Sequence, residues 1–236
     1  MGSVHGAHLH QQATEDKPVN DLCGVVFLSC LHPASLILMS IDEEKVRLRD
    51  EACQRRETAH AAAGPDTAER LCANLAAVFE LVADALPDSS MVSGYWPLTG
   101  ELDVRPLLTW VVEQGGASCL PVVVGRDRPL VFRQWQDGEP LDSGTFGTHH
   151  PPTTAAEVRP DVVLSPLLAF DATGYRIGWG GGYYDRSLEM LRGQGPVLAV
   201  GVAYESQQVD AVPYDRYDQR LDWVVTEERA MRMKGS

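Results

Sequence analysis

Three short apolar runs, Ser118 to Val124, Val162 to Leu164 and Val197 to Ala203, constrain this chain more than any other feature of it. Each has strand length, and its apolar residues are consecutive rather than alternating, so a strand built from it must be covered on both faces. Between the runs lie segments of helical pattern. Leu71, Leu75, Val78, Phe79 and Val82 share one face of a helix that Asp66 and Glu69 would open as a capping box. Ser40 and Glu43 make the same pattern ahead of a charged helix from Asp42 to about Arg56, and Ala61 to Pro65 close that segment. Further helices are expected from Arg105 to Gln114, stopped by Gly115-Gly116, and from Tyr184 to Leu191. Met91 to Tyr95, Leu130 to Trp135 and Trp223 to Thr226 read as additional strands, the second pairing with its predecessor through Gly125 to Pro129. Strands alternating with helices predict an α/β domain with a parallel or mixed sheet. Gly138 to Pro160, rich in Pro, Gly, Ser and Thr, reads as a long loop of the kind that carries function.

Charge narrows the partners. The 236 residues hold Lys+Arg 20 against Asp+Glu 33, a net charge of -13. Such a surface repels a phosphate backbone over most of its extent, and with no basic run to offset it no nucleic-acid partner is expected. Cys23, Cys30, Cys53, Cys72 and Cys119 form no C-x-x-C pair, which suits a reduced, cytoplasmic setting. His5, His8, His10 and the pair His149-His150 lack the carboxylate or thiol framework of a transition-metal site. Leu22 to Ile41 is long and apolar enough to suggest a membrane span, but His32-Pro33 interrupts it and its flank is acidic, so no membrane association is expected. Because Met39 to Lys45 reads like the start of a cytosolic protein, residues 1–38 are expected to be a dispensable extension or mis-called start before a domain at 39–236. Mass spectrometry of the native N-terminus checks this.

The chemistry concentrates between Asp171 and Asp185. Gly178, Gly180, Gly181 and Gly182 fall within five positions between a strand and a helix, where each adds an entropic cost to folding. They leave backbone amides uncovered at a helix start, a place that attracts anions and above all phosphate. The spacing is neither the Walker pattern nor G-x-G-x-x-G, because Tyr183 stands in the last position. A glycine-rich turn without ligand is the bland alternative. Arg176 beside such a nest would grip phosphate oxygens, and Asp185 at its exit would hold hydrated magnesium. Asp218 is a second carboxylate candidate, although alone it reads as a surface turn residue. Lys45 and Arg49, four apart on a helix, share a face that could grip a polyphosphate or simply be solvated. In Tyr95-Trp96-Pro97-Leu98-Thr99-Gly100-Glu101, Glu101 could hydrogen-bond a polar heterocycle with Trp96 as its aromatic wall, or could be an exposed turn carboxylate. Covalent nucleophilic catalysis is not favoured, since no G-x-S-x-G or Cys/His pair stands out.

These segments together resemble the 5-formyltetrahydrofolate cyclo-ligase family, also called 5,10-methenyltetrahydrofolate synthetase. The likeness runs from about Met39 to Thr226. It rests on Lys45-x-x-x-Arg49, on Tyr95 to Glu101, on Leu120 to Val123, and on Phe132 with Trp135. It rests most of all on Ala169-Phe170-Asp171-x-x-Gly174-x-Arg176-x-Gly178-x-Gly180-Gly181-Gly182-Tyr183-Tyr184-Asp185, then on Gln207 to Pro213 and Tyr217-Asp218 to Thr226. The resemblance implies a single α/β domain with a Rossmann-like, mixed or mostly parallel sheet and helices on both faces. It implies an enzyme that uses ATP and Mg2+ to convert 5-formyltetrahydrofolate into 5,10-methenyltetrahydrofolate, working on small molecules as a monomer. By similarity Lys45, Arg49, Arg176, Gly178, Trp179, Gly180, Gly181, Gly182, Tyr183 and Tyr184 would bind ATP. Asp185 and Asp218 would hold magnesium, and Trp96, Glu101, Trp179 and Tyr183 would contact the folate. Arg176, Tyr183 and Asp185 are the expected catalytic residues. The chain departs from the family at Gly147-Thr148-His149-His150-Pro151, where Gly-Ile-x-Glu-Pro is common, and at Trp179, where a tyrosine or phenylalanine is usual. His150 in that position motivates a competing reading, a catalytically idle folate- or nucleotide-binding paralogue. A sugar-phosphate isomerase or acyl-transfer relative ranks lower, because fold alone does not carry function.

Overall fold

The computed structural model describes residues 39–87 and 89–234, and its first helix starts where the capping pattern predicts. In helix α1 (Ile41–Ala62), the Glu43 amide donates to Ser40 Oγ at 3.3 Å and the Ser40 amide donates to Glu43 Oε2 at 2.8 Å. The expectations placed on residues 1–38, including His5, His8, His10, Cys23, Cys30 and the first part of the apolar run, lie outside the described residues. The second capping box does not form. Asp66 precedes helix α2 (Thr67–Val82) with helical backbone (φ -90°, ψ 0°), whereas a side-chain cap needs an extended residue there. Its carboxylate instead lies 3.4 Å from Arg70 Nε, one turn along. Helix α1 also outruns its expected end near Arg56, because Glu57 to Ala62 contains nothing that breaks a helix before Gly64-Pro65.

Strand β1 (Met91–Ser93) leads through helix α3 (Arg105–Glu113) to β2 (Ala117–Val122), which turns back into β3 (Val131–Gln134). The expected long loop is partly built. It holds a small hairpin of β4 (Asp142–Ser143) and β5 (His149–His150), then β6 (Glu157–Val158), which pairs antiparallel with β3. Pairs of residues carry no periodicity, so pattern reading misses them. After them come β7 (Val162–Pro166), the hairpin β8 (Ala169–Phe170) and β9 (Arg176–Ile177), and helix α4 (Tyr183–Gln194). Strands β10 (Leu198–Val202), β11 (Trp223–Val225) and β12 (Ala230–Arg232) complete the described chain.

The main sheet has the order β12-β11-β10-β7-β1-β2-β3-β6. Its central strands β11, β10, β7, β1 and β2 are parallel, and the edges are joined by antiparallel pairing, β12 to β11, β3 to β2 and β6 to β3. This is the mixed, mostly parallel α/β sheet that the sequence predicts. From β1 the chain steps one way to β2, and from β7 it steps the other way to β10. Parallel crossovers are right-handed, so steps in opposite directions place their helices on opposite faces. Packing agrees. Val162, Leu164, Val200 and Leu120 pack with Leu71, Leu75 and Val78 of α2 and Leu107, Leu108 and Val111 of α3. Val163, Ala199 and Cys119 face the other way, toward Leu188 and Leu191 of α4. Consecutive apolar residues therefore each find a covered face. Burial pushes the Cys119 thiol up to about 12, which removes it as a nucleophile at neutral pH.

A third, smaller cluster seats α1, whose Ala52 packs on Leu168, Ala169, Ile177 and Val212 just past the end of β7. The β8–β9 turn beneath it is closed by Asp171. Its Oδ1 accepts from the Thr173 amide at 2.8 Å, and its Oδ2 accepts from the Val212 amide at 2.9 Å. Gly174 turns at φ +90°, where an added Cβ would stand 2.7 Å from the Leu221 carbonyl oxygen. Asp171 and Gly174 therefore hold the frame from which the glycine loop projects. Among the described residues no helix is long and apolar enough to cross a membrane.

Candidate active site

The chain order reverses between β1 and β7, and the loops leaving the carboxyl ends of such strands border a crevice in α/β sheets. The segment Tyr95 to Glu101 leaves β1, and the β8–β9 hairpin with the glycine loop leaves β7. Gly180 (φ +92°) and Gly182 (φ +64°) are left-handed, a region that costs a side-chain-bearing residue about 1–2 kcal/mol. Gly182 caps α4 without any side-chain hydrogen bond, and the first backbone bond of that helix runs from the Arg186 amide to the Gly182 carbonyl at 3.1 Å. Among the described residues no carbonyl accepts from the amides of Gly180, Gly181, Gly182 or Tyr183. Open amides at a helix start make an anion cradle.

Two cations line this cradle closely, and one of them, Arg186, donates from its guanidinium to the Gly181 carbonyl at 2.6 Å. Arg49 Nε donates to the Gly178 carbonyl at 3.0 Å, and an added Cβ at Gly180 would stand 3.3 Å from the Arg49 Cζ. Lys45, one turn earlier on α1 and only 8% exposed, donates to Asp218 Oδ2 at 2.6 Å and to Asp215 Oδ2 at 2.9 Å. Desolvation pulls the Lys45 ammonium down, but hydrogen bonds to Asp218 and Asp215 outweigh it and leave it raised. The hydrogen bond from Lys45 holds the Asp215 carboxyl below its usual range. A lowered carboxyl stabilises the fold above its unfolded value and loses that contribution as the pH falls through the folded one, whereas a raised ammonium loses it only at high pH. Asp215→Asn should therefore melt below the unsubstituted protein at pH 7, with the two melting temperatures drawing together as the pH falls below the ordinary carboxylate range. Thermal denaturation across that pH range checks this.

Arg176 is brought to Asp185 rather than to the open amides. Its guanidinium donates to Asp185 Oδ1 at 2.8 Å and to the Gln219 carbonyl, and its side chain is 5% exposed. The Gln219 amide also donates to Asp185 Oδ1, at 3.0 Å, so the residue after Asp218 is tied to the start of α4. Asp185 Oδ2 and Asp218 Oδ1 accept no hydrogen bond among the described residues. Two carboxylates with spare oxygens beside a phosphate cradle fit magnesium, which takes one or two carboxylates and completes its octahedron with water and phosphate. Among the described residues no group of three or more His, Cys, Asp and Glu side chains forms a self-sufficient metal site.

Glu101 is buried rather than exposed. Its Oε2 accepts from the Leu98 amide at 2.9 Å, and its Oε1 lies 3.3 Å from Arg56 NH1, the two side chains being 5% and 6% exposed. The Trp179 ring, carried by the glycine loop and 59% exposed, lies over the same guanidinium at 5.1 Å. Trp96 stands apart from that group. It packs edge-on to Trp135, lies 5.0 Å from the His149 ring, and carries the Arg105 guanidinium at 4.6 Å. Tyr183 lies under the Arg186 guanidinium at 5.3 Å. Burial, followed by the charge of Glu101, raises the Tyr184 phenol far above its usual value, so Tyr184 stays protonated and offers no base.

Sequence reading missed Arg56 and Asp215. The signal for Arg56 was present: positions 45, 49, 52 and 56 share one helical face, and Lys45, Ala52 and Arg56 are the buried residues of α1. Asp215 carried no such signal, since an aspartate in a turn is commonplace. A groove of about 530 Å³ opens elsewhere, lined among others by Arg55, Thr58, Tyr204, Ser206 and Glu227, and none of the expected site residues lines it. A triphosphate is recognised by open donors and cations more than by the size of a hollow, which favours the glycine loop.

Residues 41–227 match the sequence model of the 5-formyltetrahydrofolate cyclo-ligase family. The chain is 33% identical over 143 residues to the 5-formyltetrahydrofolate cyclo-ligase of Escherichia coli (strain K12), covering 57% of this chain and 76% of that protein. To the 5-formyltetrahydrofolate cyclo-ligase of Haemophilus influenzae it is 32% identical over 129 residues, 52% of this chain and 68% of that protein. The NMR structure of Aquifex aeolicus 5,10-methenyltetrahydrofolate synthetase superposes with a TM-score of 0.64 at 29% identity, covering 81% of this chain and 94% of that one.

Proposed function

The chain belongs to the 5-formyltetrahydrofolate cyclo-ligase family of enzymes, and from that premise we propose that it converts 5-formyltetrahydrofolate and ATP, with magnesium, into 5,10-methenyltetrahydrofolate, ADP and phosphate. The observation that carries the ATP reading is the set of open amides at Gly180 to Tyr183, flanked by Arg49 and by the spare oxygen of Asp185.

A formamide oxygen is a weak nucleophile and a poor leaving group, so it must be activated. In the proposed sequence the formyl oxygen attacks the γ-phosphorus and ADP departs. N10 then attacks the activated carbon, the N10 proton is lost to solvent, and the C–O bond breaks to release phosphate and leave the methenyl bridge. The protein supplies positioning and charge neutralisation, which account for most of the acceleration in phosphoryl transfer. The amides of Gly180 to Tyr183 and the Arg49 guanidinium would donate to phosphate oxygens. Lys45 would share its ammonium between those oxygens and Asp218. Magnesium, when held by Asp185 and Asp218, supplies neutralisation of phosphate charge. Arg176 keeps Asp185 aimed out of the α4 N-terminus. Glu101, Trp179 and Tyr183 would meet the folate, with Trp96 farther out on the β1 loop. The reaction's only proton is released from an increasingly acidic, cationic nitrogen, so no dedicated general base is required.

Purified protein mixed with ATP, magnesium and 5-formyltetrahydrofolate should develop the near-ultraviolet absorbance of the methenyl product. The signal should require all three additions. Tight folate binding without turnover would contradict the catalytic reading and identify an idle binding protein.

A further inference from the structure

We propose that Arg56 is the positioning residue of the folate end of this site, fixing Glu101 and seating Trp179 with one guanidinium. The inference rests on the reading of Glu101 and Trp179 as folate-contacting residues, and it adds a residue that no motif of the chain includes.

Placement comes first. Arg56 lies on the α1 face that carries Lys45 and Arg49, seven residues beyond Arg49, or roughly 10 Å farther along the axis. One rigid helix thus presents cations to the phosphate cradle at one end and a third cation to the loop leaving β1 at the other. Arg56 touches both loops that border the crevice: Glu101 on the β1 side at 3.3 Å and Trp179 on the glycine loop at 5.1 Å.

The chemistry of the pair comes next. Arg56 is 5% exposed, and removing a guanidinium and a carboxylate from water is costly unless their donors and acceptors are met. Here they are only partly met. The contact runs through NH1 alone and is not a two-pronged fork, and Arg56 Nε is buried without a hydrogen-bond partner among the described residues. A pair kept only for stability would be better replaced by apolar side chains of similar volume. What the arrangement achieves is aim. One oxygen of Glu101 is fixed by Arg56 and the other by the Leu98 amide, and a carboxylate oxygen with one bond made still has a lone pair to offer. A carboxylate immobilised in this way suits a ligand edge with two neighbouring N–H donors, as an aminopyrimidinone ring presents. The Trp179 indole, held on the guanidinium by its π face, is the exposed aromatic surface beside it.

Binding of 5-formyltetrahydrofolate and of ATP, measured separately by calorimetry on the full chain, tests the proposal, with steady-state kinetics alongside. Arg56→Gln should weaken folate binding and raise its KM by about 10- to 100-fold while changing ATP affinity and kcat by less than about threefold. Glu101→Gln should do the same, and the double substitution should be no worse than either alone, the mark of coupled residues. Arg56→Lys restores a cation opposite Glu101 without the planar stacking surface and should recover part of the loss. Should Arg56→Gln fail to fold, Arg56→Lys and Glu101→Gln carry the test, and additive losses in their combination would overturn the proposal. Equal losses of folate and ATP affinity, or no loss of either, would also overturn it. If the unsubstituted protein itself does not bind 5-formyltetrahydrofolate, the functional reading fails and takes the inference with it. If it binds and Arg56→Gln binds equally well, the inference alone fails.

Discussion

Asp185→Asn should reduce turnover by about 100-fold or more at saturating substrates and raise the magnesium concentration needed for half-maximal rate, while the protein remains folded. Asparagine is the informative substitution because Asp185 has two tasks. Its Oδ1 accepts from Arg176 at 2.8 Å and from the Gln219 amide at 3.0 Å, and an asparagine carbonyl can keep accepting both. Only the charge and the second carboxylate oxygen are lost, at a stability cost of about 1–2 kcal/mol because an ion pair becomes a bond from a cation to a neutral carbonyl. Alanine, by contrast, would strand a guanidinium whose side chain is 5% exposed, a change that costs about 3–5 kcal/mol when a buried partner is removed. Lost activity in an alanine variant would then confuse chemistry with folding. Magnesium titrations of initial rate, together with thermal melts, separate the two for Asp185→Asn. Activity and magnesium dependence unchanged from the original protein would remove Asp185 from the metal site.

Gly180→Ala should lower ATP affinity by about tenfold or more and leave 5-formyltetrahydrofolate binding in the absence of ATP unchanged. The backbone there sits at φ +92°, so a Cβ adds about 1–2 kcal/mol of strain. The same Cβ would stand 3.3 Å from Arg49 Cζ and push the guanidinium off the cradle. Gly178→Ala supplies the comparison. Its Cβ would meet nothing within 4 Å, so its effect on ATP affinity should be smaller. Calorimetric titration of both variants with each substrate measures the difference. Equal losses in the two would mean that the loop needs general flexibility rather than the specific turn at Gly180.

The sheet was legible because its central strands are covered twice. Val162, Val163 and Leu164 point alternately into two cores, and that demand is written as an unbroken apolar run. The glycine loop was legible because only glycine takes left-handed backbone without strain, so the cluster at 178–182 advertised the turn. Partnerships across the chain were less visible. Arg176 carried a correct residue type and a plausible position, yet its guanidinium turns to Asp185 and the Gln219 carbonyl, a choice set by where the 215–220 turn lies in space. Asp66 showed the limit of local pattern. The residues of a capping box are present, but the chain arrives from Gly64-Pro65 with helical backbone at Asp66 and cannot close it. Short elements such as the β4–β5 hairpin and β6 were invisible because two residues of pairing leave no periodic trace.

Amide nitrogen–proton NMR spectra recorded while a magnesium complex of a non-hydrolysable ATP analogue is added test the account most directly. The resonances of Gly180, Gly181, Gly182 and Tyr183 should move together and saturate, because those amides find no acceptor among the described residues. If those signals stay fixed while Thr58, Tyr204 and Ser206 along the 530 Å³ groove shift instead, the triphosphate binds elsewhere and the glycine loop is a turn without a ligand.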